Sequence, residues 1–304
     1  MKMQGSPWEF NEYLFTWPVH SGYEIIEIRN PIPENERMYW EGVIPLTDTL
    51  EVIRPCRGTK ESLWNPLNGK TFLLTELAKL GEGFNKKEVI NFALRFGILG
   101  IAGHWHGLET YFLNRDPLVF FEHEAKQAAR LLRLYQAVQE RNLEDLQKRI
   151  EAIFFNTSEG AMVNIFIDGT NIYDWPIVKP PVTEEILLRA TLFYVCKETN
   201  TRLEGRLTMG CAAVTSDFMV LPGVKCDSLL TAAYIQFRDI VTKSHVLKRC
   251  KHCGALFVPS KASQVCCPRL PTIPGTNILE DKPACANRAY VRKHRKKQKE
   301  KEES

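Results

Sequence analysis

The residues with the clearest chemistry are the cysteines of the last fifth of the chain. Cys250 and Cys253 form a Cys-x-x-Cys pair, Cys266 and Cys267 are adjacent, and Cys285 follows. Five of the nine cysteines in the 304 residues therefore fall between 250 and 285. Soft thiolates from two short loops satisfy tetrahedral zinc, and four such ligands tie down a segment too small to fold alone. In Cys250-Lys251-His252-Cys253-Gly254 a tight turn aims backbone N–H groups at sulfur, and Gly254 permits the positive φ that such turns need. Phe257 then fills the small core beside the metal. His252 is set aside as a ligand, because its neighbours already supply thiolates. The second pair is Cys285 with either Cys266 or Cys267, and spacing does not decide between them. Cys266 is favoured, because Pro268 restricts Cys267 to extended backbone and Val265 could pack inward. The stretch with Pro268, Pro271, Pro274 and Gly275 reads as an excursion loop. A closed four-thiolate site holds one structural Zn2+ and leaves no open position for catalysis.

Cys285 directly precedes a helical pattern, and a helix start favours thiolate. Along that helix Arg288, Arg292, Arg295 and Lys299 share a face, flanked by Lys293 and Lys296. Such a face tracks phosphates, which supplies affinity and salt dependence. Asn287 and Arg288, at its N-terminal end, are placed to reach base edges. The alternative is that Asn287 only caps the helix and Arg288 pairs with an acidic body residue. Charge is distributed to match: from Lys243 onward 15 Lys/Arg face 5 Asp/Glu, whereas 25 face 31 before it. An acidic body joined to a basic end points to a polyanionic partner, with double-stranded DNA expected; the plain alternative is a solvated tail.

The elements that must position these groups begin with a mixed, strand-rich stretch. Tyr23 to Ile28 alternates in part and is broken at Asn30-Pro31-Ile32-Pro33; Met38–Trp40 and Val43–Leu46 are further candidate strands. A helix over 85–96 has Asn85 as N-cap, Glu88 at the capping-box position and Gly97 at its stop. Ile98 to Gly103 reads as a tight buried turn. Asp116 as N-cap with Pro117 opens a long helix, whose core face carries Phe121, Ala125, Ala128, Leu132 and Tyr135. Asn142 and Asp145 cap a shorter helix reaching about Phe154. Val163–Ile167 is a strand closed by Asp168-Gly169, and Pro176–Pro181 a linker. Thr183 opens a helix to about Asn200. Arg206–Leu221 is a hairpin turning at Ser216-Asp217. Asp227 or Ser228 caps a last helix with Leu230, Tyr234, Phe237 and Val241 buried. This helix runs almost directly into Cys250, so the cysteine module is expected to sit close to the body.

Other groups carry weaker chemistry. Ile165-Phe166-Ile167-Asp168-Gly169-Thr170-Asn171 resembles the first-strand motif of PIN/NYN-type nucleases, in which an Asp at a strand end holds Mg2+. That chemistry needs further carboxylates from later strands, and Asp174, Asp217 and Asp227 do not follow parallel-strand patterns, so a β-turn is preferred. His104 and His106, with Glu109 and His123, would make a second metal site only on a strand; flanking glycines favour a loop anchored by Trp105. Cys56, Cys196, Cys211 and Cys226 show no pairing pattern, and Cys196 and Cys211 read as buried thiols. No nucleophile elbow or phosphate-binding Gly-rich loop is present, and no apolar run approaches a bilayer span. The amino-terminal residues lack the apolar stretch of a secretory signal, so a reducing, cytoplasmic setting is expected, where clustered cysteines bind metal rather than pair.

Residues 229–297 resemble the CGNR-type zinc finger proteins of bacteria, from Leu229–Phe237 through Arg249-Cys250-Lys251-His252-Cys253-Gly254 to Cys285-Ala286-Asn287-Arg288-Ala289. Cys285-Ala286-Asn287-Arg288 matches the eponymous tetrapeptide except for Ala286 in the Gly position. The helix at Glu88–Phe96 with Gly97-Ile98-Leu99-Gly100 is similar to an element of the ABATE-type, stress-induced-regulator region that precedes such fingers. The resemblance implies a zinc-dependent, DNA-binding transcriptional regulator. The expected fold class is α+β: a mainly helical body with short strands and a hairpin, then a four-cysteine zinc finger with a basic C-terminal helix. Its divisions are residues 1–80, a strand-rich part; 81–245, the ABATE-like body; 246–295, the finger; and 296–304, a charged tail. The expected function is a non-enzymatic regulator whose body senses a signal or forms a homodimer, with no membrane partner. The alternatives are a nuclease using Asp168 and a protein-interaction module in which zinc is only a staple.

Overall fold

The computed structural model describes residues 16–33, 47–67, 72–101, 112, 114–157, 160–171, 181–214, 220–254, 256–259, 261–267 and 285. Of 154–157, 160–161, 170–171, 207–214 and 220–225 the backbone alone is described. The fold is α+β, as the sequence implies. Strand β1 (Trp17–His20) pairs antiparallel with β4 (Glu61–Trp64), and β2 (Tyr23–Arg29) with β3 (Thr49–Pro55), which also takes β5 (Asp116–Pro117) on its other edge. Helices α1 (Leu73–Glu82), α3 (Leu118–Gln139), α5 (Glu184–Leu203) and α6 (Leu229–Thr242) pack in a ring, α1 on α3, α3 on α5, α5 on α6 and α6 back on α1. Helix α2 (Lys86–Phe96) lies against β1, β2 and α1. One apolar core runs from Val19 to Leu247, with Phe120, Phe121, Leu132, Tyr234 and Phe237 fully enclosed. Each such side chain contributes about 1.5–3 kcal/mol relative to exposure.

Local signals account for much of this. Asn85 Oδ1 accepts from Glu88 N at 3.0 Å, Thr183 Oγ1 from Ile186 N at 3.4 Å and Ser228 Oγ from Thr231 N at 3.0 Å, so three helices start where a capping side chain stands. After α2 the chain turns through Gly97 and Gly100, both at positive φ, under the Trp17 ring; a Cβ at either would lie 2.8 Å from that ring. Trp17 Nε1 donates to Ile98 O at 2.8 Å and Trp64 Nε1 to Phe96 O at 3.2 Å, which satisfies carbonyls at the helix end.

Three expectations need correction, and one element was not foreseen: helix α1 spans residue 80, at the end of the mixed, strand-rich stretch that also holds β1 to β4. Its start has no local cap. Gln236 of α6 accepts from Leu73 N at 2.8 Å and donates to Pro66 O at 2.8 Å, a partner 163 residues away. Asp116 does not cap α3. Its carboxylate accepts from Gly100 N and Ile101 N at 3.0 and 2.8 Å, and Pro117 takes the cap position. The helix that Asn142 caps, α4 (Leu143–Gln147), stops well short of Phe154, because Ile150–Thr157 forms β6, paired antiparallel with β7 (Gly160–Ile167). The expected hairpin exists as β9 (Leu207–Val214) and β10 (Val220–Cys226), running past Leu221; its turn lies outside the described residues, as do Met38–Trp40, Val43–Leu46 and Pro176–Pro180.

Candidate metal centre

The centre is built on the end of α6. Beyond Thr242 the chain folds back onto α3: Tyr135 Oη shares its one proton between Ile240 O at 3.2 Å and His245 O at 3.3 Å, and Gln139 Nε2 donates to His245 O at 2.6 Å. Gln139 Oε1 accepts from Leu247 N at 3.0 Å, and Leu247 is buried in the main core. The next residues form β11 (Lys248–Arg249), paired with β12 (Leu256–Phe257), while Leu256 and Val258 pack on the same core. The cysteine module is thus docked on the helical ring, as its short spacing from the last helix implied.

Between the two strands the chain turns at Cys250–Gly254. Gly254 N donates to Cys250 O at 2.9 Å, and Gly254 has φ 75°, the left-handed conformation expected of it. Cys250 and Phe257 are buried together beside the turn. The sulfurs of Cys250, Cys253, Cys267 and Cys285 all lie within 4.8 Å of one another, and Cys253 and Cys267 Sγ are 3.7 Å apart. Zn–S bonds of about 2.3 Å in a tetrahedron place sulfurs about 3.8 Å apart, so the four need little adjustment to enclose one ion. Among the described residues no other group of three or more His, Cys, Asp or Glu side chains is so arranged.

Cys267, not Cys266, completes the set, which corrects the preferred ligand. The reasons for Cys266 fail at two points. Val265 is 44% exposed, and its carbonyl accepts from Lys251 N at 3.0 Å, so this residue ties the two loops together through its backbone instead of packing inward. The extended backbone that Pro268 imposes on Cys267 is compatible with reaching the cluster. Cys266 is buried beside Cys250 and Phe257, and Gln264 Nε2 fixes its carbonyl at 2.9 Å.

The electrostatics favour a cation. Burial raises the Cys250 thiol, but N–H groups of Cys267, Cys253 and His252 aimed at its sulfur outweigh this and hold it at about 6. Burial and the neighbouring sulfurs push Cys267 up, and burial raises Cys285 to about 11. Several thiolates cannot share so small a volume without a counter-charge; a metal ion supplies it and deprotonates its ligands. Four soft sulfurs close enough to share one ion suit zinc or iron. Cys285 is helical at its own position, and Asn287, Arg288, Arg292, Lys293, Arg295, Lys296 and Lys299 lie outside the described residues.

The other candidates fare differently. Asp168 sits in a two-residue turn between β7 and β8 (Thr170–Asn171), with Asp168 at φ 47° and Gly169 at φ 77°, the signature of a type I′ hairpin. Its Oδ2 accepts from Arg130 Nε at 2.7 Å, its Oδ1 lies 3.6 Å from Arg149, and Arg130 also donates to Ile167 O at 2.7 Å. Two guanidiniums occupy the carboxylate that a nuclease would offer to Mg2+, and the strands around it are antiparallel. His104, His106 and Glu109 lie outside the described residues, and His123 is half-buried on α3. Cys226 is buried, which raises its thiol to about 12, whereas Cys196 is half-buried and of Cys211, in β9, the backbone alone is described.

Sequence reasoning missed one feature of the body, a cavity of about 570 Å3 lined by Trp17, His20, Tyr23, Arg54, Phe112 and Asp116 among others. Asp116 is fully enclosed, and burial raises its carboxyl to about 6 against the pull of the N–H groups of Ile101, Gly100 and Leu99. The cavity's residues come from five separate segments, so no local pattern announces them. Among the described residues no helix is long and apolar enough to cross a membrane. No protein-family model matches the chain, and neither the curated proteins nor the solved structures contain a match to it.

Proposed function

We propose that the chain is a zinc-binding, DNA-binding transcriptional regulator of the CGNR type, in which a structural Zn2+ held by Cys250, Cys253, Cys267 and Cys285 fixes the start of the basic C-terminal segment. The observation that carries this reading is the convergence of four sulfurs immediately before that segment. Four thiolates saturate zinc, so the ion has a folding role and no open position for substrate. Asn287 and Arg288 follow the last ligand directly, where metal binding orders them best. Arg292, Lys293, Arg295, Lys296 and Lys299 then supply phosphate contacts, each adding about 0.9 to the salt slope of duplex binding. The body, with its cavity at Asp116, is the part available for sensing or for forming a homodimer, in a cytoplasmic setting.

The test is fluorescence anisotropy of labelled duplex DNA with zinc-loaded protein over a salt series, full-length against a chain ending at Asn287. Tight binding that weakens steeply with salt and vanishes on truncation is the expected result. Absence of binding at low salt refutes it. The docking of the module through Tyr135, Gln139 and Leu247 favours a second reading, a zinc staple that presents the C-terminus to a protein partner. Partner binding that survives neutralisation of the basic segment selects it.

A further inference from the structure

We propose that the groove where α3 and α4 meet β11 binds a phosphate group. It has a volume of about 310 Å3 and is lined by Arg133, Gln136, Glu140, Asp145, Arg149 and Arg249, with Asn142 and Ala137 completing it. That is room for about ten waters at roughly 30 Å3 each. Among the described lining residues only Ala137 is apolar, so recognition falls mainly to the charged groups. Three guanidiniums arrive from three elements: Arg133 from α3, Arg149 from the link between α4 and β6, and Arg249 from β11. Against them stand two carboxylates, Glu140 and Asp145, which leaves one net positive charge.

Their commitments are weak where an anion would sit. Arg149 lies 3.8 Å from Asp145 and 3.6 Å from Asp168, too far to close a hydrogen bond with either. Its Nε is buried with no hydrogen-bond acceptor among the described residues, so neither carboxylate holds it. Among the described residues Arg133 pairs only with Glu82, at 3.2 Å between two exposed side chains, and such a pair exchanges readily. Arg249 is exposed and makes no ion pair among the described residues. Of the two acidic side chains, Glu140 Oε1 accepts from Gln136 Nε2 at 2.8 Å, while Asp145 stays 3.8 Å from Arg149 Nε. Planar guanidiniums converging on one volume match the tetrahedral oxygens of phosphate in paired hydrogen bonds.

Arg249 is adjacent to Cys250, and its backbone is held by pairing with Leu256. The groove is therefore complete only when the cysteine module is folded, and phosphate binding is coupled to metal. The phosphate has two sources, a nucleic-acid backbone or a small phosphorylated ligand, and the site does not depend on the DNA reading.

The experiment titrates inorganic phosphate calorimetrically into full-length zinc-loaded protein, wild type and Arg249→Gln, and repeats the duplex salt series with both. Arg249→Gln removes an exposed side chain and leaves the core intact. The expected result is saturable phosphate binding that weakens roughly tenfold in the variant and on chelation of zinc. A duplex salt slope that falls by about one in the variant assigns the phosphate to a nucleic-acid backbone; an unchanged slope beside a weakened phosphate isotherm assigns it to a small ligand. An unmoved phosphate isotherm together with an unmoved duplex slope overturns the site. Wild-type protein that binds no duplex refutes the DNA reading alone, and the phosphate isotherm then judges the groove by itself.

Discussion

Replacing Asp168 separates a turn residue from a metal ligand, and the structure sets the size of the effect. Arg130 Nε donates to its carboxylate at 2.7 Å, with the two side chains only 18% and 27% exposed. A hydrogen bond between charged groups so placed contributes about 1.5–3 kcal/mol. The ion pair to Arg149 at 3.6 Å is long and adds little. Asp168→Ala also puts alanine at φ 47°, which costs roughly 1 kcal/mol that Asp and Asn largely escape. The sum is a destabilisation of about 2–4 kcal/mol for Asp168→Ala. Asp168→Asn keeps the turn and loses the charge, so about 1–2 kcal/mol is expected for it. Urea denaturation of the zinc-loaded protein measures both, and a double-mutant cycle with Arg130→Met returns the coupling. Incubation with single-stranded and duplex substrates in Mg2+ provides the second readout, in which no cleavage is expected from wild type or variant. Unchanged stability together with Mg2+-dependent cleavage lost on substitution would contradict the structural role and restore the nuclease.

Two further predictions concern the body. Gly81 faces α3 so closely that a Cβ would lie 2.2 Å from Ala125 O and 2.9 Å from Lys126 N, both backbone atoms. Gly81→Ala gains about 1 kcal/mol of helix propensity and loses more to forced separation of α1 from α3, so it lowers stability by roughly 1–2 kcal/mol; a variant more stable than wild type in urea removes the close contact from the account. Asp116 has a folded pKa of about 6 against 3.8 unfolded, so between these values the folded state holds the proton that the unfolded state has released. Its contribution to stability is therefore largest at the acid end and falls as pH rises from about 4 to 6, by about 3 kcal/mol in all. The stability of wild type relative to Asp116→Asn should decline over that range and then level off. A difference that is flat, or that grows with pH, shows instead that the N–H groups of Gly100 and Ile101 hold the carboxyl ionised.

What was legible in the sequence was what chemistry fixes locally. Asn85, Asn142, Thr183 and Ser228 each cap the helix they announce, because a cap acts over three residues. Asp116 was misread because its carboxylate serves a loop 15 residues upstream, and α1 was missed because its cap comes from Gln236. Ile150–Thr157 follows a true helix start, and only pairing with β7 makes it a strand. The metal centre was legible as a set of cysteines, since their spacing admits few other uses. The choice between Cys266 and Cys267 was not, since both adjacent thiols pack against Cys250 and only the folded arrangement of the two loops places Cys267 with the other three sulfurs.

The metal centre requires that Cys250, Cys253, Cys267 and Cys285 together hold one ion. Cobalt(II) substitution tests it most directly, because tetrahedral cobalt bound to four thiolates has intense sulfur-to-metal charge-transfer and d–d bands that weaken as thiolates are replaced. Full-length protein, Cys266→Ser and Cys267→Ser are titrated side by side. One cobalt per chain, with the full four-thiolate spectrum kept in Cys266→Ser and lost in Cys267→Ser, is the result this account predicts. A spectrum kept in Cys267→Ser and lost in Cys266→Ser, or no tetrahedral cobalt in the wild-type protein, contradicts it.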